Sequence, residues 1–135
     1  MGFATAMSAR SLQYYVIARR WSSDLEFFKI ETAFFHRLMD DYFIRLCDQA
    51  YFEQFKRTGT ELLKLEEEGA RAGVLLSQQL KHVELMAEDI IPENAEELAV
   101  KQVHLEHLMT NITRDYRDVK KSLFQLVENI LKTTN

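Results

Sequence analysis

The chain has 135 residues, a net charge of −4, one proline and four glycines. Its length allows one domain with a sizeable hydrophobic core. So few turn-forming residues argue against strand-rich architectures and favour an all-α fold. The acidic balance argues against nucleic acid as a partner, because neutralising phosphates requires clustered Lys and Arg.

The single cysteine, Cys47, excludes an intramolecular disulfide and is typical of a reducing compartment. The chain contains no run of about 18 apolar residues that would suit a membrane span. Its N-terminus also lacks the pattern of a secretory signal. We therefore expect a cytoplasmic protein.

The N-terminal segment, residues 1–22, is basic and aromatic. It carries three arginines and no acidic residue, and apolar residues within 8–21 recur at helical spacing, which predicts a short helix. The segment is too apolar for a disordered tail. We expect it to pack on the rest of the chain as a fourth element or to exchange between subunits. Its charge is too low to favour a membrane surface.

A first long helix is predicted over 23–57. Ser23 can cap its start, with Glu26 three residues later completing the capping pattern, and apolar residues follow on one helical face. Gly59 can adopt the left-handed conformation that ends helices. The sequence therefore predicts the first turn at Gly59.

Two further long helices are predicted over 60–91 and 94–132. Pro92 separates them because it disfavours helical geometry at the preceding residue, and Asn94 can cap the helix that follows. Short loops force neighbouring helices to be antiparallel. The prediction is an all-α, up-down-up antiparallel bundle of three long helices in one domain, residues 1–135, with the shorter N-terminal helix as a fourth element.

Two sets of apolar residues lie outside the predicted core faces. The aromatic residues of the first helix spread too widely for one stripe, which indicates contact with more than two neighbours. The N-terminal helix, a dimer interface or a ligand pocket can each account for them. On the outer side of the second helix, three apolar residues recur every eleven positions and indicate a partner surface. The predicted interface residues are Phe27, Phe34, Phe52, Leu63, Val74 and Leu85.

Gly69 and Gly73 lie on the predicted inner face of the second helix. A helical glycine costs about 1 kcal/mol relative to alanine. We therefore expect these glycines to admit bulky neighbouring side chains or, less favoured, to leave a pocket beside them.

Three of the four histidines, His36, His82 and His104, fall at one height if both predicted turns are correct. With Asp40, one turn beyond His36, they form a candidate site for a transition metal ion such as iron, zinc or manganese. However, each histidine lies on a flank of its helix, and none follows the glutamate of the ExxH pattern used by di-iron bundles. Ordinary boundary histidines are the preferred interpretation.

The sequence contains no recognisable catalytic pattern. Cys47 has no histidine at its predicted level, so we expect a small core or boundary residue. Phosphate-binding glycine loops, CxxC pairs and nucleophile elbows are absent from the sequence. We therefore expect a protein–protein interaction or oligomeric helical module, without catalysis or cofactor, that binds a second copy of itself or another protein. A metal-binding helical bundle that uses the histidine layer is the alternative.

Overall fold

The computed structural model describes residues 7–133, and within this range the chain forms four helices and no strand. Helix α1 spans Ala9–Asp41, α2 spans Phe43–Leu46, α3 spans Phe52–Ala87 and α4 spans Ala95–Thr133. The three long helices pack against each other, so the predicted all-α bundle is confirmed. The part of the predicted N-terminal segment before Met7 lies outside the described residues, as do residues 134 and 135.

Buried residues on α3 and α4 are separated alternately by three and four positions, with one gap on α3. This spacing averages about 3.5 residues, the heptad period of coiled-coil packing, and gives each of these two helices one buried stripe. On α4 the stripe consists of Leu98, Gln102, Leu105, Met109, Ile112, Tyr116, Val119, Leu123, Leu126 and Ile130. On α3 it consists of Thr58, Leu62, Leu65, Ala72, Leu76, Gln79, Val83 and Met86, with the half-buried Gly69 in its gap.

The described residues divide into two compact units. Unit 1 comprises residues 7–26 and 70–111, and unit 2 comprises residues 27–69 and 112–133. Each of the three long helices contributes one portion to each unit.

In unit 1, the first part of α1 packs against α3 and α4. The buried cluster consists of Met7, Val83, Met86 and Leu98, with Leu12, Tyr14, Tyr15, Ala87 and Ile91 packed against it. The backbone N–H of Ser8 also donates to the carboxylate of Glu93 at 2.9 Å. The expected packing of the N-terminal segment is therefore confirmed from Met7 onwards.

Two glutamines occupy core positions of unit 1. The Gln79 amide donates to the Leu98 carbonyl at 3.2 Å and to Gln102 Oε1 at 3.3 Å. The Gln102 amide in turn donates to the Tyr14 carbonyl at 3.3 Å. This chain of hydrogen bonds connects α3, α4 and α1 inside the core, although Gln79 Oε1 itself has no partner among the described residues.

The core of unit 2 includes the end of α4 and the connection between α1 and α3. Its buried cluster consists of Leu46, Leu126 and Ile130, with Tyr42, Tyr51 and Phe55 packed against it. The guanidinium of Arg45 donates to the Ile130 carbonyl at 2.7 Å. This bond attaches the short helix α2 to the last turns of α4.

The first connection does not lie where the sequence predicts it. α1 continues through Ser23, so the N-terminal segment and the first long helix are one element. Gly59 lies inside α3, and the chain turns over residues 42–51 instead. Burial of Thr58 and Leu62 on either side of Gly59 outweighs the roughly 1 kcal/mol that one helical glycine costs. The true connection contains neither Gly nor Pro, so the usual turn signals do not mark it.

The second connection agrees better with its prediction. α3 ends at Ala87, earlier than the predicted residue 91, and Asp89 follows with a left-handed φ of 58°. Asp is one of the few residues that tolerate this helix-ending conformation. Asn94 caps α4 as predicted, because its side-chain oxygen accepts the N–H of Glu97 at 3.1 Å.

None of the helices in the described part of the chain combines the length and the hydropathy needed to cross a membrane.

Candidate interaction surface

All phenylalanines among the described residues belong to unit 2. Phe35 is buried, Phe28 and Phe55 are half-buried, and the other five are exposed: Phe27, Phe34, Phe43, Phe52 and Phe124. Unit 1 instead exposes aliphatic side chains, namely Val16, Val74, Ile90, Val100 and Val103. Aromatic residues are enriched at the centres of protein interfaces, so the surface of unit 2 is the stronger candidate for binding a partner.

Helix α1 carries an outward apolar stripe in unit 2. Phe27, Ile30 and Phe34 follow the spacing i, i+3, i+7, and their exposed fractions are 52%, 68% and 38%. This spacing places them on one helical face, while Thr32 and Phe35 are buried on the inner face. Helices that bind protein partners commonly use anchors at this spacing.

Tyr116 of α4 lies at the centre of the aromatic contacts. Its ring centroid is 4.5 Å from that of Phe28, 5.9 Å from Phe35 and 6.2 Å from Phe27. Phe35 also contacts the ring of Phe124 edge-on at 6.1 Å. The exposed rings of Phe27 and Phe124 therefore extend a packed cluster, which restricts their orientation.

A polar bridge joins α1 to α4 beside these rings. Glu31 accepts hydrogen bonds from the Tyr116 hydroxyl at 2.6 Å and from Lys120 Nζ at 3.2 Å. The hydrogen bond from Tyr116, assisted by Lys120, lowers the pKa of Glu31 below its ordinary 4.5. Burial, followed by the bond to Glu31, raises the pKa of Tyr116, and the bond to Glu31 raises the pKa of Lys120. At neutral pH the bridge therefore consists of a carboxylate, a neutral phenol and an ammonium group.

Lys120 also contacts the aromatic cluster. Its ammonium lies 5.7 Å from the ring centroids of both Tyr116 and Phe124, within the range of a cation–π interaction. The positive charge of Lys120 is thus already compensated within the chain, by the carboxylate of Glu31 and by the two aromatic rings. We call the exposed surface formed by Phe27, Ile30 and Phe34 of α1 with Lys120 and Phe124 of α4 the aromatic face.

The six predicted interface residues have different surroundings. Phe27, Phe34, Phe52 and Leu63 are exposed in unit 2, Val74 is exposed in unit 1, and Leu85 of unit 1 is half-buried. Two of them, Phe27 and Phe34, belong to the aromatic face. Phe52 lies elsewhere, under the ammonium of Lys56 at 5.3 Å. That any of them contacts a partner stays a prediction.

Sequence reasoning missed two residues of the aromatic face. Neither Ile30 nor Phe124 was among the predicted interface residues, although they are 68% and 41% exposed. The heptad spacing of the buried residues identifies both. On α1 the buried positions are Thr32 and Phe35, and Ile30, two positions before Thr32, faces outward. On α4 the buried position is Leu123, and Phe124, the next residue, faces outward.

The predicted histidine layer loses its basis, because the first turn is not where the layer requires it. In unit 2, His36 Nε2 lies 2.6 Å from Glu66 Oε1. His82 and His104 belong to unit 1, where His82 is half-buried and His104 is exposed, and Asp40 is exposed on α1. Within residues 7–133, no three His, Cys, Asp or Glu side chains are grouped so that they could hold a metal ion.

Two smaller predictions are wrong. A Cβ added to Gly69 or Gly73 would meet no atom within 4 Å, so these glycines do not make room for bulky neighbouring side chains. Cys47, expected at the core or its boundary, is exposed because it lies in the connection between α1 and α3.

No family model, curated protein or solved structure matches this chain.

Proposed function

We propose that the protein is a non-catalytic helical module that works by self-association through the aromatic face of unit 2. The observation that carries the proposal is the exposed stripe of Phe27, Ile30 and Phe34, continuous with the packed rings around Tyr116. Removing apolar surface from water is favourable by roughly 25 cal/mol per Å². Covering these side chains with a partner is therefore the simplest role for them.

The polar groups of the aromatic face support a buried contact. An unpaired charge is expensive to bury, whereas a charge that already has a hydrogen-bonded partner is less so. Lys120 is paired with Glu31 and lies over the rings of Tyr116 and Phe124. A partner can therefore cover this surface without leaving either charge uncompensated.

The partner in this proposal is protein, and the compartment is the cytoplasm. The net charge of −4 disfavours nucleic acid. A single cysteine with an exposed side chain suits a reducing compartment, where it is not oxidised to an intermolecular disulfide.

Sedimentation velocity over a range of concentrations tests the proposal. We expect a species larger than the 15.9 kDa chain at about 100 µM, the range in which modest interfaces form. Replacing exposed rings on both helices of the aromatic face, Phe34→Ser with Phe124→Ser, should shift the protein towards the monomer.

The matched control is Val100→Ser with Val103→Ser, which removes two exposed apolar side chains from unit 1. This control should leave self-association unchanged, and thermal melting should confirm that both double variants remain folded. A wild-type protein that stays monomeric throughout the concentration range would refute the proposed function.

A further inference from the structure

We propose that unit 1 contains a binding site for one internal water molecule, held between Gln79 Oε1 and His82 Nδ1 of α3. The water donates one hydrogen bond to the amide oxygen and makes its second hydrogen bond with the histidine nitrogen. It thereby extends the buried chain of hydrogen bonds through Tyr14, Gln102 and Gln79 to the boundary of the core. This inference does not depend on the proposed self-association, which concerns unit 2.

The first observation is the side-chain oxygen of Gln79. The residue is 1% exposed, and its amide nitrogen donates to the Leu98 carbonyl and to Gln102 Oε1. Because the Leu98 carbonyl can only accept, the amide nitrogen must face it and cannot exchange places with the oxygen. The oxygen is therefore fixed inside the core, where no group of the described residues donates to it. A buried acceptor without a donor is costly, so this oxygen requires a partner.

The second observation is a ring nitrogen of His82. This residue is half-buried, and its Nδ1 is enclosed without a hydrogen-bond partner among the described residues. A neutral histidine donates from one ring nitrogen and accepts at the other. Whichever role Nδ1 has, enclosing it unpaired costs free energy. Two buried polar atoms of unit 1 therefore lack partners, and they lie three residues apart in the sequence.

The helix brings these two residues together. Side chains three positions apart on a helix are neighbours, with about 5–6 Å between their Cβ atoms. Their directions differ by only about 60° around the helix axis. Glu84, about 200° around the helix from His82, lies 3.4 Å from the Tyr15 hydroxyl of α1. His82 therefore lies on the side of α3 away from this contact, beside Gln79, whose amide reaches α4.

Water is the ligand that suits both atoms. Gln79 Oε1 can only accept, so the ligand must donate a hydrogen bond. His82 Nδ1 accepts or donates according to the tautomer, and water can satisfy either state because it both donates and accepts. A metal ion would need additional ligands, and residues 7–133 contain no group of three His, Cys, Asp or Glu side chains that could hold one. Internal waters are typically bound by polar groups that the protein leaves without partners.

Crystal structures of the wild type and of His82→Phe test the site. The wild type should show a water oxygen within about 3.2 Å of both Gln79 Oε1 and His82 Nδ1. His82→Phe keeps an aromatic ring and both core glutamines but removes Nδ1, so it should lose this water. The matched control, His104→Phe, changes an exposed histidine of unit 1 and should keep the water. A direct hydrogen bond between Gln79 and His82, with no water between them, would overturn the inference.

Nuclear magnetic resonance tests the same water in solution. Water that stays bound gives nuclear Overhauser and rotating-frame cross-peaks of opposite sign, whereas rapidly exchanging surface water gives cross-peaks of the same sign. We expect opposite signs at the side-chain amide of Gln79 and equal signs at the exposed Gln78, the preceding residue. His82→Phe should abolish the Gln79 signal, and His104→Phe should preserve it. Absence of the signal from the wild type would refute the site, and its persistence in a folded His82→Phe protein would refute the role of His82.

Discussion

In unit 1 the core contains the amide side chains of Gln79 and Gln102, and the exposed apolar residues are aliphatic. In unit 2 the buried polar residues are the smaller Thr32 and Thr58, and the exposed apolar residues include five phenylalanines. Both units follow the same heptad spacing. Spacing alone therefore does not distinguish the two units; the chemistry at the inner and outer positions does.

The polar core of unit 1 suits a role in defining the structure. Buried polar residues in helical bundles can cost stability while selecting one arrangement of the helices over others. Gln79 and Gln102 connect all three long helices of unit 1 by hydrogen bonds. The aromatic cluster of unit 2 reaches the surface instead, which fits a role in binding. Four changes test this contrast, and they are ordered by the size of the expected effect.

The largest effect is expected for Tyr116→Ala in unit 2. The ring is buried and contacts three phenylalanine rings, so its removal leaves a cavity and should lower the free energy of unfolding by about 3–5 kcal/mol. Tyr116→Phe keeps the ring and removes only the hydroxyl that donates to Glu31, so it should cost about 1–2 kcal/mol. Urea unfolding monitored by circular dichroism measures both values. If both variants lost the same free energy of unfolding, the packing of the Tyr116 ring would contribute little to stability.

The second effect has the opposite sign and lies in unit 1. Replacing both core glutamines, Gln79→Leu with Gln102→Leu, removes the unsatisfied Gln79 Oε1 and should raise the free energy of unfolding by about 1–3 kcal/mol. Gln79→Leu alone should be less stable than the double variant, because it leaves Gln102 Oε1 buried without its donor. Urea unfolding of the three proteins provides the comparison. A double variant less stable than wild type would show that the amide network stabilises unit 1 and does not merely select its structure.

The third effect depends on pH and compares one carboxylate from each unit. The pKa of Glu31 in unit 2 is lowered chiefly by Tyr116, and that of Glu93 in unit 1 chiefly by the backbone N–H of Ser8. A lowered pKa means that the folded state binds the proton less tightly than the unfolded state. The stabilisation is therefore complete above the ordinary value of 4.5 and is lost as the pH falls through the lowered pKa of the folded state.

Glu31→Gln should cost about 1 kcal/mol at pH 7, a value reduced for the partial exposure of the carboxylate. The difference from wild type should shrink as the pH falls below 4.5. Glu93→Gln, at an exposed residue of unit 1, should also be less stable than wild type at pH 7, and this difference should likewise shrink at low pH. Thermal melting between pH 7 and pH 3 measures both. A constant difference for Glu31→Gln across this range would exclude ionisation of Glu31 as the source of its contribution.

The sequence predicted the fold class because the scarcity of Gly and Pro and the spacing of apolar residues are properties of the whole chain. It did not predict the first connection, since residues 42–51 contain neither of the residues that usually mark a turn. That error also removed the basis for the histidine layer. The bond between Glu31 and Tyr116 joins residues 85 positions apart, so it depends on a helix register that the misplaced turn did not provide.

Part of the aromatic face was nevertheless within reach of the sequence. Phe27 and Phe34 were recognised because they lie away from the apolar stripe of their helix. Ile30 and Phe124 were missed although both lie away from the buried face: Ile30 is two positions before the buried Thr32, and Phe124 directly follows the buried Leu123. One or two residues along a helix turn the side chain through about 100° or 200°, away from the core.

The smallest effect compares the same substitution at one glycine of α3 in each unit. Gly69→Ala in unit 2 and Gly73→Ala in unit 1 should each raise the free energy of unfolding by about 0.5–1 kcal/mol, because alanine restricts the unfolded chain and favours the helix. An added Cβ meets nothing within 4 Å at either position, so no steric cost opposes this gain. At Gly59 the added Cβ would lie 3.5 Å from Met39 Cε, an ordinary contact, and Gly59→Ala serves as a third member of the series. Urea unfolding should give gains of the same sign at all three positions. A loss at Gly69 or Gly73 would show that the glycine accommodates a close neighbour after all, as the sequence alone had led us to expect.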